Sequence, residues 1–342
     1  MKSRATIRSI AEATGYSVMT VSNVLNKKPG VSEKTRKLIL REIDKQRYVP
    51  TQAGRSLRAA RQWSIGFIMV DPSELYLADY LNGQVAASLS RTLNDSDYTL
   101  SIRLCRPGEL ADTTIFRRLS VDGMIVVVGG QDARAAIAEP LMNLGVPVVA
   151  VQGPVPAGLD DAMSVRQDDR AGGMLLADHL AARGVASVLA VLTEDEWPSF
   201  ESRLAGLKAG LKATRDGASV SVLRVSSEAA DVARAEIHDW LSRHTPPAAV
   251  FGGNDALAYA AIRALGEQGL SVPDDVMVTG FNALDFASLF SPSLTTVRSR
   301  GRELGEMAAT AMLERLQQGR FSRRSLTLPV SLQVGDSTRR SS

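Results

Sequence analysis

Residues 17–23 contain the side chains that are best suited to recognising the surface of a ligand. The amide of Asn23 can pair bidentately with adenine, and Val18 and Met19 can pack on a thymine methyl group. Ser17 adds a hydroxyl that can donate or accept. The alternative for Val18 and Met19 is packing in a small core. These residue types predict contacts to base edges in a DNA groove.

A second set of side chains could hold the phosphate backbone, which fixes the register of a protein on DNA without reading sequence. Two cations lie in a turn just before a Pro-Gly pair, and a third lies on the helix predicted after that turn. Two hydroxyls lie at predicted helix starts. The predicted backbone contacts are Thr6, Lys27, Lys28, Ser32 and Arg36.

Two short helices separated by a tight turn must position these side chains. Apolar residues recur at helical spacing before and after Gly15, which supplies the backbone freedom for the turn. Thr6 and Ser17 stand at N-cap positions, where a hydroxyl accepts free amide hydrogens. This pattern predicts a helix-turn-helix, whose second helix lies in the major groove. The alternative is a small helical hairpin at the start of an enzyme.

A third helix is predicted from Ser32, as its N-cap, to about residue 47. Leu38, Ile39 and Ile43 form its predicted inner face, and the proline at the end of residues 48–50 stops it. Residues 51–61 are basic, contain a glycine and lack a wide apolar stripe. So short a segment is a marginal helix alone, so it is predicted to be a linker that becomes helical when held.

Charge divides the chain sharply. Residues 1–62 contain 14 Lys and Arg against 4 Asp and Glu, a net charge of +10, whereas the remaining 280 residues contain 26 against 33, a net charge of −7. A basic module on a mildly acidic body favours a phosphate backbone as the partner of that module.

From residue 63 onward, apolar strands alternate with amphipathic helices. Predicted strands cover 65–70, 99–104, 123–128, 147–151, 188–192, 220–225, 249–252 and 276–281. Predicted helices cover 78–93, 133–144, 171–183, 203–214, 229–243 and 255–268. This alternation predicts α/β subdomains with parallel sheets covered by helices. Two such sheets, each doubly wound, predict a ligand cleft beyond the carboxyl ends of the strands.

Several classes of protein are disfavoured. The single cysteine, Cys105, excludes an internal disulfide framework and is predicted to be a buried thiol. His179, His238 and His244 lack metal-ligand spacing and are predicted to be solvated, so no metal and no cofactor are expected. No apolar run reaches the length of a membrane span, and no signal-peptide core is present. The expected location is the cytoplasm.

The motifs together resemble the LacI/GalR (lactose-repressor) family of bacterial transcription regulators. Headpiece motifs are TIRSIA at 6–11, TVSNVLN at 20–26, PGVSEKTR at 29–36 and YVP at 48–50, and RSLR at 55–58 resembles the hinge helix. Core motifs are DDRAGG at 168–173, GNDALA at 253–258, VPDD at 272–275, VTGF at 278–281 and SPSLTTV at 291–297. The resemblance covers essentially the whole chain in family order.

The resemblance implies a headpiece at 1–50, a hinge at 51–62 and an effector-binding core at 63–342 similar to periplasmic binding proteins. In that fold the chain crosses between two subdomains three times. The N-subdomain is expected at about 63–161 and 293–320, and the C-subdomain at about 162–292 and 321–336. The family assembles as dimers, sometimes as tetramers. Leu57, with Arg55 beside it, resembles the hinge leucine that wedges into the minor groove.

Six residues are candidates for binding the effector in the core. Arg203 resembles the family arginine that grips ligand oxygens, and Asn254 and Asn282 can both donate to and accept from a hydroxyl-rich ligand. Trp197 follows a strand, and the alternative for it is loop packing. The candidate set is Asp71, Tyr76, Trp197, Arg203, Asn254 and Asn282. The family usually has Arg where this chain has Asn23 and Asp where it has Asn282.

The function predicted is that of a DNA-binding regulator, a repressor by resemblance, which binds a palindromic operator as a dimer. A small-molecule effector, a sugar or sugar derivative, is expected to control it. The alternatives are an α/β enzyme acting on sugars or nucleotides, and a sugar-binding protein. The sequence contains no nucleotide-binding glycine loop or nucleophile elbow that would favour an enzyme. A periplasmic binding protein would leave the basic headpiece unexplained.

Overall fold

The computed structural model describes residues 5–25, 28–48, 61–71, 77, 79–111, 116, 118–195, 197–214, 217–285 and 290–339. The chain divides into two compact units, Met1–Trp63 and Ser64–Ser342. The predicted contacts Lys27, Arg55, Leu57 and Tyr76, and most of the predicted hinge, lie outside the described residues.

The first unit contains the three predicted helices, α1 (Ile7–Thr14), α2 (Val18–Leu25) and α3 (Glu33–Lys45). They pack around a small apolar core of Ile10, Ala11, Val21, Val24, Ile39 and Ile43. Leu38 was expected on the inner face of α3 but is 46% exposed. The prediction was wrong because Leu38 is one position before Ile39, and that step turns a side chain by about 100° around the helix axis.

The second unit contains two six-stranded sheets. Its strands are β1 (Ser64–Val70), β2 (Thr99–Cys105), β3 (Gly123–Val128), β4 (Val148–Val151), β5 (Ala162–Gln167), β6 (Ser187–Thr193), β7 (Ser219–Val225), β8 (Ala249–Gly252), β9 (Met277–Asn282), β10 (Thr295–Arg298), β11 (Ser325–Leu328) and β12 (Ser331–Gln333). The first sheet has the order β11-β5-β4-β3-β1-β2, and the second has the order β12-β10-β9-β8-β6-β7. All neighbours are parallel except β12, which is antiparallel to β10.

Helices accompany both sheets. They are α4 (Tyr80–Asn94), α5 (Gln131–Ala136), α6 (Ala138–Leu144), α7 (Asp169–Ala181), α8 (Pro198–Thr214), α9 (Ala230–Arg243), α10 (Asp255–Glu267) and α11 (Gly301–Gln318). Central strands such as β1 and β3 are buried along their whole length, as expected of parallel strands covered on both faces. The edge strands β2 and β7 are largely exposed. Cys105 is fully buried, as predicted.

The expected subdomain boundaries need correction. Residues 162–167 were assigned to the second subdomain, but β5 pairs with β4 in the first sheet, and β11 joins it there through pairs such as Leu326 with Val165. Conversely, β10 belongs to the second sheet although residues from 293 were assigned to the first. The boundaries were wrong because half of β5 is polar and its β11 partner lies more than 150 residues away in the chain.

The chain crosses between the sheets three times within the described residues, after β5, after β10 and after β11. Gln167 joins the first two crossings, because its side-chain oxygen accepts from the Arg300 N–H at 3.1 Å and its amide donates to Ser299 Oγ at 3.1 Å. The Asp168 N–H donates to the Leu328 carbonyl at 2.9 Å and so joins the third. Hydrogen bonds therefore connect all three crossing segments to one another between the two sheets.

His179 on α7 was predicted to be solvated, but the structure shows that it is buried. It is 8% exposed, and its Nε2 lies 2.8 Å from Thr338 Oγ1. Burial and, to a smaller extent, the nearby Arg183 guanidinium together lower the pKa of His179 to about 4. The prediction failed because residues 336–338 at the far end of the chain cover this side of α7.

Candidate nucleic-acid interface and ligand cleft

The start of α2 presents an exposed surface held by local caps. Thr20 N–H donates to Ser17 Oγ at 3.1 Å, so Ser17 caps α2 as the sequence predicted. Thr6 caps α1 and forms a capping box with Ser9, whose hydroxyl also donates to Gln46 Oε1 at the end of α3. Gly15 has φ = 70° in the turn between the two helices. These bonds fix where α2 begins.

The predicted base-reading side chains lie on this surface. Met19 is 74% exposed and Val18 is 42% exposed, which rules out the core-packing alternative for both within the headpiece. Ser17 is exposed, and Asn23 lies one helical turn further along α2 and is half-buried. Two apolar side chains exposed to this extent on the first turn of one helix form an apolar surface that indicates a partner.

Two of the predicted phosphate contacts are exposed, and some of the predicted contacts also form hydrogen bonds within the headpiece. Lys28 and Ser32 are exposed, and Thr35 N–H donates to Ser32 Oγ at 3.2 Å, so Ser32 caps α3. The Arg36 guanidinium donates to the Lys28 carbonyl at 3.0 Å, which fixes the turn between α2 and α3. Sequence reasoning missed Tyr16, which is 37% exposed beside Ser17 and accepts from Thr35 Oγ1 at 3.3 Å. An aromatic residue in the turn was the available signal.

A cleft opens in the second unit at the carboxyl ends of its strands. An inner cavity of about 50 Å³ is lined by Asp71, Asp79, Leu81, Asn82, Val127, Gln152, Trp197, Ser199, Phe200, Arg203, Glu228, Asn254 and Asn282. An outer cavity of about 1050 Å³ shares the walls formed by Asp79, Glu228, Asn254 and Asn282 and continues along α4 and the first turns of α11. Five of the six predicted effector residues are described, and all five line the inner cavity.

Arg203 on α8 is buried and donates hydrogen bonds to two partners. It is 2% exposed, its Nε donates to Asp169 Oδ1 at 2.8 Å, and its Nη1 donates to the Gly253 carbonyl at 2.7 Å. Its guanidinium carbon lies 3.7 Å from the centroid of the Phe281 ring, a cation–π contact. Burial raises the pKa of the Asp169 carboxyl, and the guanidinium opposes that shift.

Glycines let α7 and α8 approach closely enough to form this pair. A Cβ at Gly173 would lie 2.1 Å from the Arg203 carbonyl oxygen, and a Cβ at Gly206 would lie 2.0 Å from the Arg170 carbonyl oxygen. Because no side chain fits at either position, the two helices cross backbone against backbone. That crossing places Asp169 of α7 beside Arg203 of α8.

The two predicted asparagines are partly used within the protein. Asn254 caps α10 by accepting from the Leu257 N–H at 3.0 Å, and its Nδ2 donates to Glu228 Oε2 at 2.7 Å. Asn282 has φ = 118°, and its Oδ1 accepts from Ser299 Oγ at 2.9 Å in the crossing after β10. Asn254 therefore connects the cavity wall to the start of α10, and Asn282 connects it to the crossing after β10.

Sequence reasoning missed the acidic members of the wall. Asp79 caps α4 through a 2.8 Å bond from the Asn82 N–H, and Glu228 precedes α9. Burial raises the pKa of Asp79, and burial together with repulsion from Asp79 raises the pKa of Glu228 to about 7. Both residues follow parallel strands, so the ends of β1 and β7 were the available signal. Among the described residues, no cluster of His, Cys, Asp and Glu is arranged to hold a metal ion.

A basic helix-turn-helix unit and a two-sheet unit with a cleft define a DNA-binding regulator with a ligand-responsive core. Residues 6–51 match the model of bacterial regulatory proteins of the lacI family, and residues 177–338 match a periplasmic-binding-protein-like domain. The chain belongs to the LacI family of transcriptional regulators, which act by binding DNA and not as enzymes.

Relatives match along nearly the whole chain. The HTH-type transcriptional repressor PurR of Serratia proteamaculans is 30% identical over 319 residues, which cover 91% of this chain and 90% of that protein. The PurR of Vibrio vulnificus is 27% identical over 346 residues, covering 98% and 99%. Among solved structures, a lac repressor dimer bound to operator and the anti-inducer ONPF matches with a TM-score of 0.82 and 24% identity, covering 98% and 99%. No helix within the described part of the chain is long and apolar enough to cross a membrane.

Proposed function

We propose that this protein represses transcription by binding a roughly palindromic operator as a homodimer, under the control of a small-molecule effector in the cleft. The exposed Val18 and Met19 at the start of α2 support the DNA-binding part of the proposal, because neither belongs to the buried core of the headpiece. The net charge of +10 on residues 1–62 supplies the attraction to phosphate.

The helix-turn-helix module supports dimeric binding, since two copies related by a two-fold axis can read two half-sites one helical turn apart. The matched lac repressor is described as a dimer bound to operator. On this chain the edge strand β2 exposes Ile102 and Leu104 at 44% and 40%, which makes it a candidate dimer surface. Sedimentation of wild-type protein and of Ile102→Glu distinguishes monomer, dimer and tetramer.

A gel-shift series tests operator binding. Randomised-site selection with the full-length protein should yield a two-fold-symmetric sequence, and affinity for it should fall steeply as salt rises because bound DNA releases counterions. Met19→Ala should weaken specific binding while leaving binding to random DNA nearly intact. Leu38→Ala is the matched control, since it truncates an exposed apolar side chain on α3. Equal losses for the two variants would contradict the proposal.

The cleft supports the second part of the proposal, which is control by a small-molecule effector. Its two connected cavities lie at the carboxyl ends of the strands and combine apolar, aromatic and polar side chains, as small-molecule sites do. A matched structure is a transcriptional regulator CelR–cellobiose complex, and several relatives are named HTH-type transcriptional repressor PurR. We infer a sugar or sugar derivative, because the asparagines and carboxylates of the wall suit hydroxyl groups.

Substitution of the cleft tryptophan tests the effector site. Trp197→Ala should abolish the shift in melting temperature that an effector produces in a screen of sugars, amino sugars and purines. Trp240→Ala is the matched control, because Trp240 stacks on His244 at 4.2 Å on α9, away from the cavities. Retention of the full shift in Trp197→Ala would place the effector elsewhere.

A further inference from the structure

The segment at the end of β9 has a strained backbone. Asn282 has φ = 118° and Ala283 has φ = 54°, and neither residue is a glycine. Residues with a Cβ rarely adopt positive φ, and each one that does has a cost in free energy that the surrounding structure must offset. Two such residues in succession indicate that contacts hold this segment in place. The segment, residues 282–285, is called the strap.

Two buried side chains of the second subdomain hold the strained part of the strap. Asp255 Oδ2 accepts from the Leu284 N–H at 2.9 Å, and Thr296 Oγ1 accepts from the Ala283 N–H at 3.3 Å. The Thr296 hydroxyl in turn donates to Asp255 Oδ1 at 2.5 Å. Asp255 begins α10 and Thr296 lies on β10, and both are fully buried. Two separate elements therefore fix the strap against the second sheet.

The last residue of the strap reaches the first subdomain. The Asp285 N–H donates to Tyr80 Oη at 3.2 Å, and Tyr80 begins α4, which lies between β1 and β2 of the first sheet. The Asp285 carboxylate also lies 3.9 Å from the guanidinium of Arg302 on α11. The helices α4 and α11 pack closely, because no Cβ fits at Gly305 beside the Val85 carbonyl. The strap therefore bonds the second subdomain to a packed pair of helices of the first.

The strap is also part of the cleft wall. Asn282, its first residue, lines both cavities, and Leu284 lines the outer cavity together with Tyr80. Asn282 Oδ1 accepts from Ser299 Oγ in the crossing after β10. A ligand in either cavity would therefore lie against the strap, which is bonded both to a crossing segment and to the opposite subdomain.

A second contact between the subdomains lies at the inner cavity. Trp197 precedes α8 of the second subdomain, and its ring lies so close to Gly129, which follows β3, that a Cβ there would be 2.6 Å from it. Trp197 lines the inner cavity, whereas Tyr80 lines the outer one. The exposure of Trp197 therefore reports the separation of the subdomains from a place outside the strap.

We propose that the strap clasps the two subdomains together across the outer cavity and biases the protein between two arrangements that differ in operator affinity. The strained backbone opposes the clasp, and the hydrogen bonds of Asp255, Thr296 and Tyr80 maintain it. A ligand that binds Asn282 differently in the two arrangements shifts the balance between them. This inference rests on the proposed function, because it assigns the strap a part in the control of operator binding.

Removal of the Tyr80 hydroxyl tests the clasp on the full-length protein. Trp63 and Trp240 are replaced by Phe, which leaves Trp197 as the one tryptophan of the sequence. Tyr80→Phe should then raise the fraction of Trp197 that acrylamide quenches by about twofold or more, the shift that loss of one hydrogen bond gives to a two-state balance. Tyr98→Phe is the control, because Tyr98 precedes β2 in the same subdomain and lines neither cavity. Equal quenching in the two variants would overturn the clasp.

Relief of the backbone strain should have the opposite effect. Ala283→Gly removes the Cβ that makes a positive φ costly, so the strap should keep its conformation more readily. The amides of Leu284 and Asp285 should exchange hydrogen about threefold more slowly or slower still than in the wild-type protein, and quenching of Trp197 should fall. Ala248→Gly is the control, since Ala248 precedes β8 and has no positive φ. Exchange in Ala283→Gly as fast as in the control would show that the strap carries no strain.

Operator affinity connects the strap to regulation. In gel shifts with the operator selected by the wild-type protein, Tyr80→Phe and Ala283→Gly should change the affinity in opposite directions, each by about threefold or more, and Tyr98→Phe should leave it unchanged. Unchanged affinity in the first two variants, or a change in the same direction in both, would overturn the regulatory role. If the wild-type protein binds operator while these variants do not diverge, the DNA-binding function stands and this inference alone is wrong. If the wild-type protein binds no operator, the proposed function fails, whatever the quenching of Trp197 shows about the clasp.

Discussion

The headpiece surface and the core cleft depart from the ordinary burial of side chains in opposite directions. At the start of α2, apolar side chains are exposed where they could have been buried, with Met19 at 74% exposure. In the cleft, charged and polar side chains are buried where they could have been solvated, with Arg203 and Asp71 each at 2% exposure. Each departure from ordinary burial costs stability, and each is placed where a partner can recover that cost.

The two surfaces also differ in how they are held. The α2 surface is positioned by bonds between residues three apart, such as Ser17 with Thr20, and by a small core of six buried apolar side chains. The cleft is positioned by contacts between distant segments, such as Asp169 with Arg203 and Gln167 with Arg300. Local bonds make a surface that forms with its own helix. Long-range bonds make a surface that depends on the relation of two sheets, and such a site can respond to a ligand by shifting that relation.

Loss of the buried ion pair is expected to have the largest effect. Arg203→Ala leaves the Asp169 carboxylate buried without its cation, so the core should lose about 3–5 kcal/mol of unfolding free energy in urea titration. Arg224→Ala breaks the exposed pair with Glu201 and should cost no more than about 1 kcal/mol. Similar losses in the two variants would show that Arg203 is not a structural centre of the cleft.

A close helix crossing should be the next most sensitive point. Gly206→Ala places a methyl group against the Arg170 carbonyl oxygen and should cost about 1–3 kcal/mol, because α7 and α8 must separate. Gly266→Ala is the control on α10, since a Cβ there meets nothing within 4 Å. The control should be neutral or stabilising, and urea titration followed by tryptophan fluorescence measures both. An unchanged midpoint for Gly206→Ala would mean that the crossing relaxes freely.

The recognition surface was largely predictable from the sequence, whereas the cleft was predictable only in part. Helix periodicity, caps and the glycine turn all act within four residues, so α1, α2 and the exposed position of Met19 follow from short-range patterns. The glutamate at 228 and the aspartate at 79 meet only after two sheets have formed. Strand β5 was missed because half of its residues are polar and one of its two partners, β11, lies in a distant segment, and the resemblance placed the cleft without revealing that Asp79 and Glu228 line it.

Specificity at one base position sharpens the comparison on the DNA side. Asn23→Arg should shift the preferred base toward guanine, with discrimination of about 1–3 kcal/mol for a good bidentate contact. Randomised-site selection with both proteins measures the change. The core should be unaffected, so effector-induced shifts in melting temperature serve as the control. An identical consensus from both proteins would show that the half-buried Asn23 does not read a base.

The smallest expected effect separates the two roles of Ser17. Its hydroxyl accepts from the Thr20 N–H at 3.1 Å and lies 2.9 Å from Thr20 Oγ1, so capping already occupies much of the hydrogen-bonding capacity proposed for base contact. Ser17→Ala should destabilise the headpiece by about 1 kcal/mol, measured as faster hydrogen exchange of the α2 amides in the full-length protein. Ser17→Asp should preserve the cap and the slow exchange, yet weaken operator binding because it places a negative charge against DNA. If Ser17→Ala weakens operator binding no more than its effect on α2 accounts for, Ser17 acts by fixing the start of the recognition helix, and base reading falls to Val18, Met19 and Asn23.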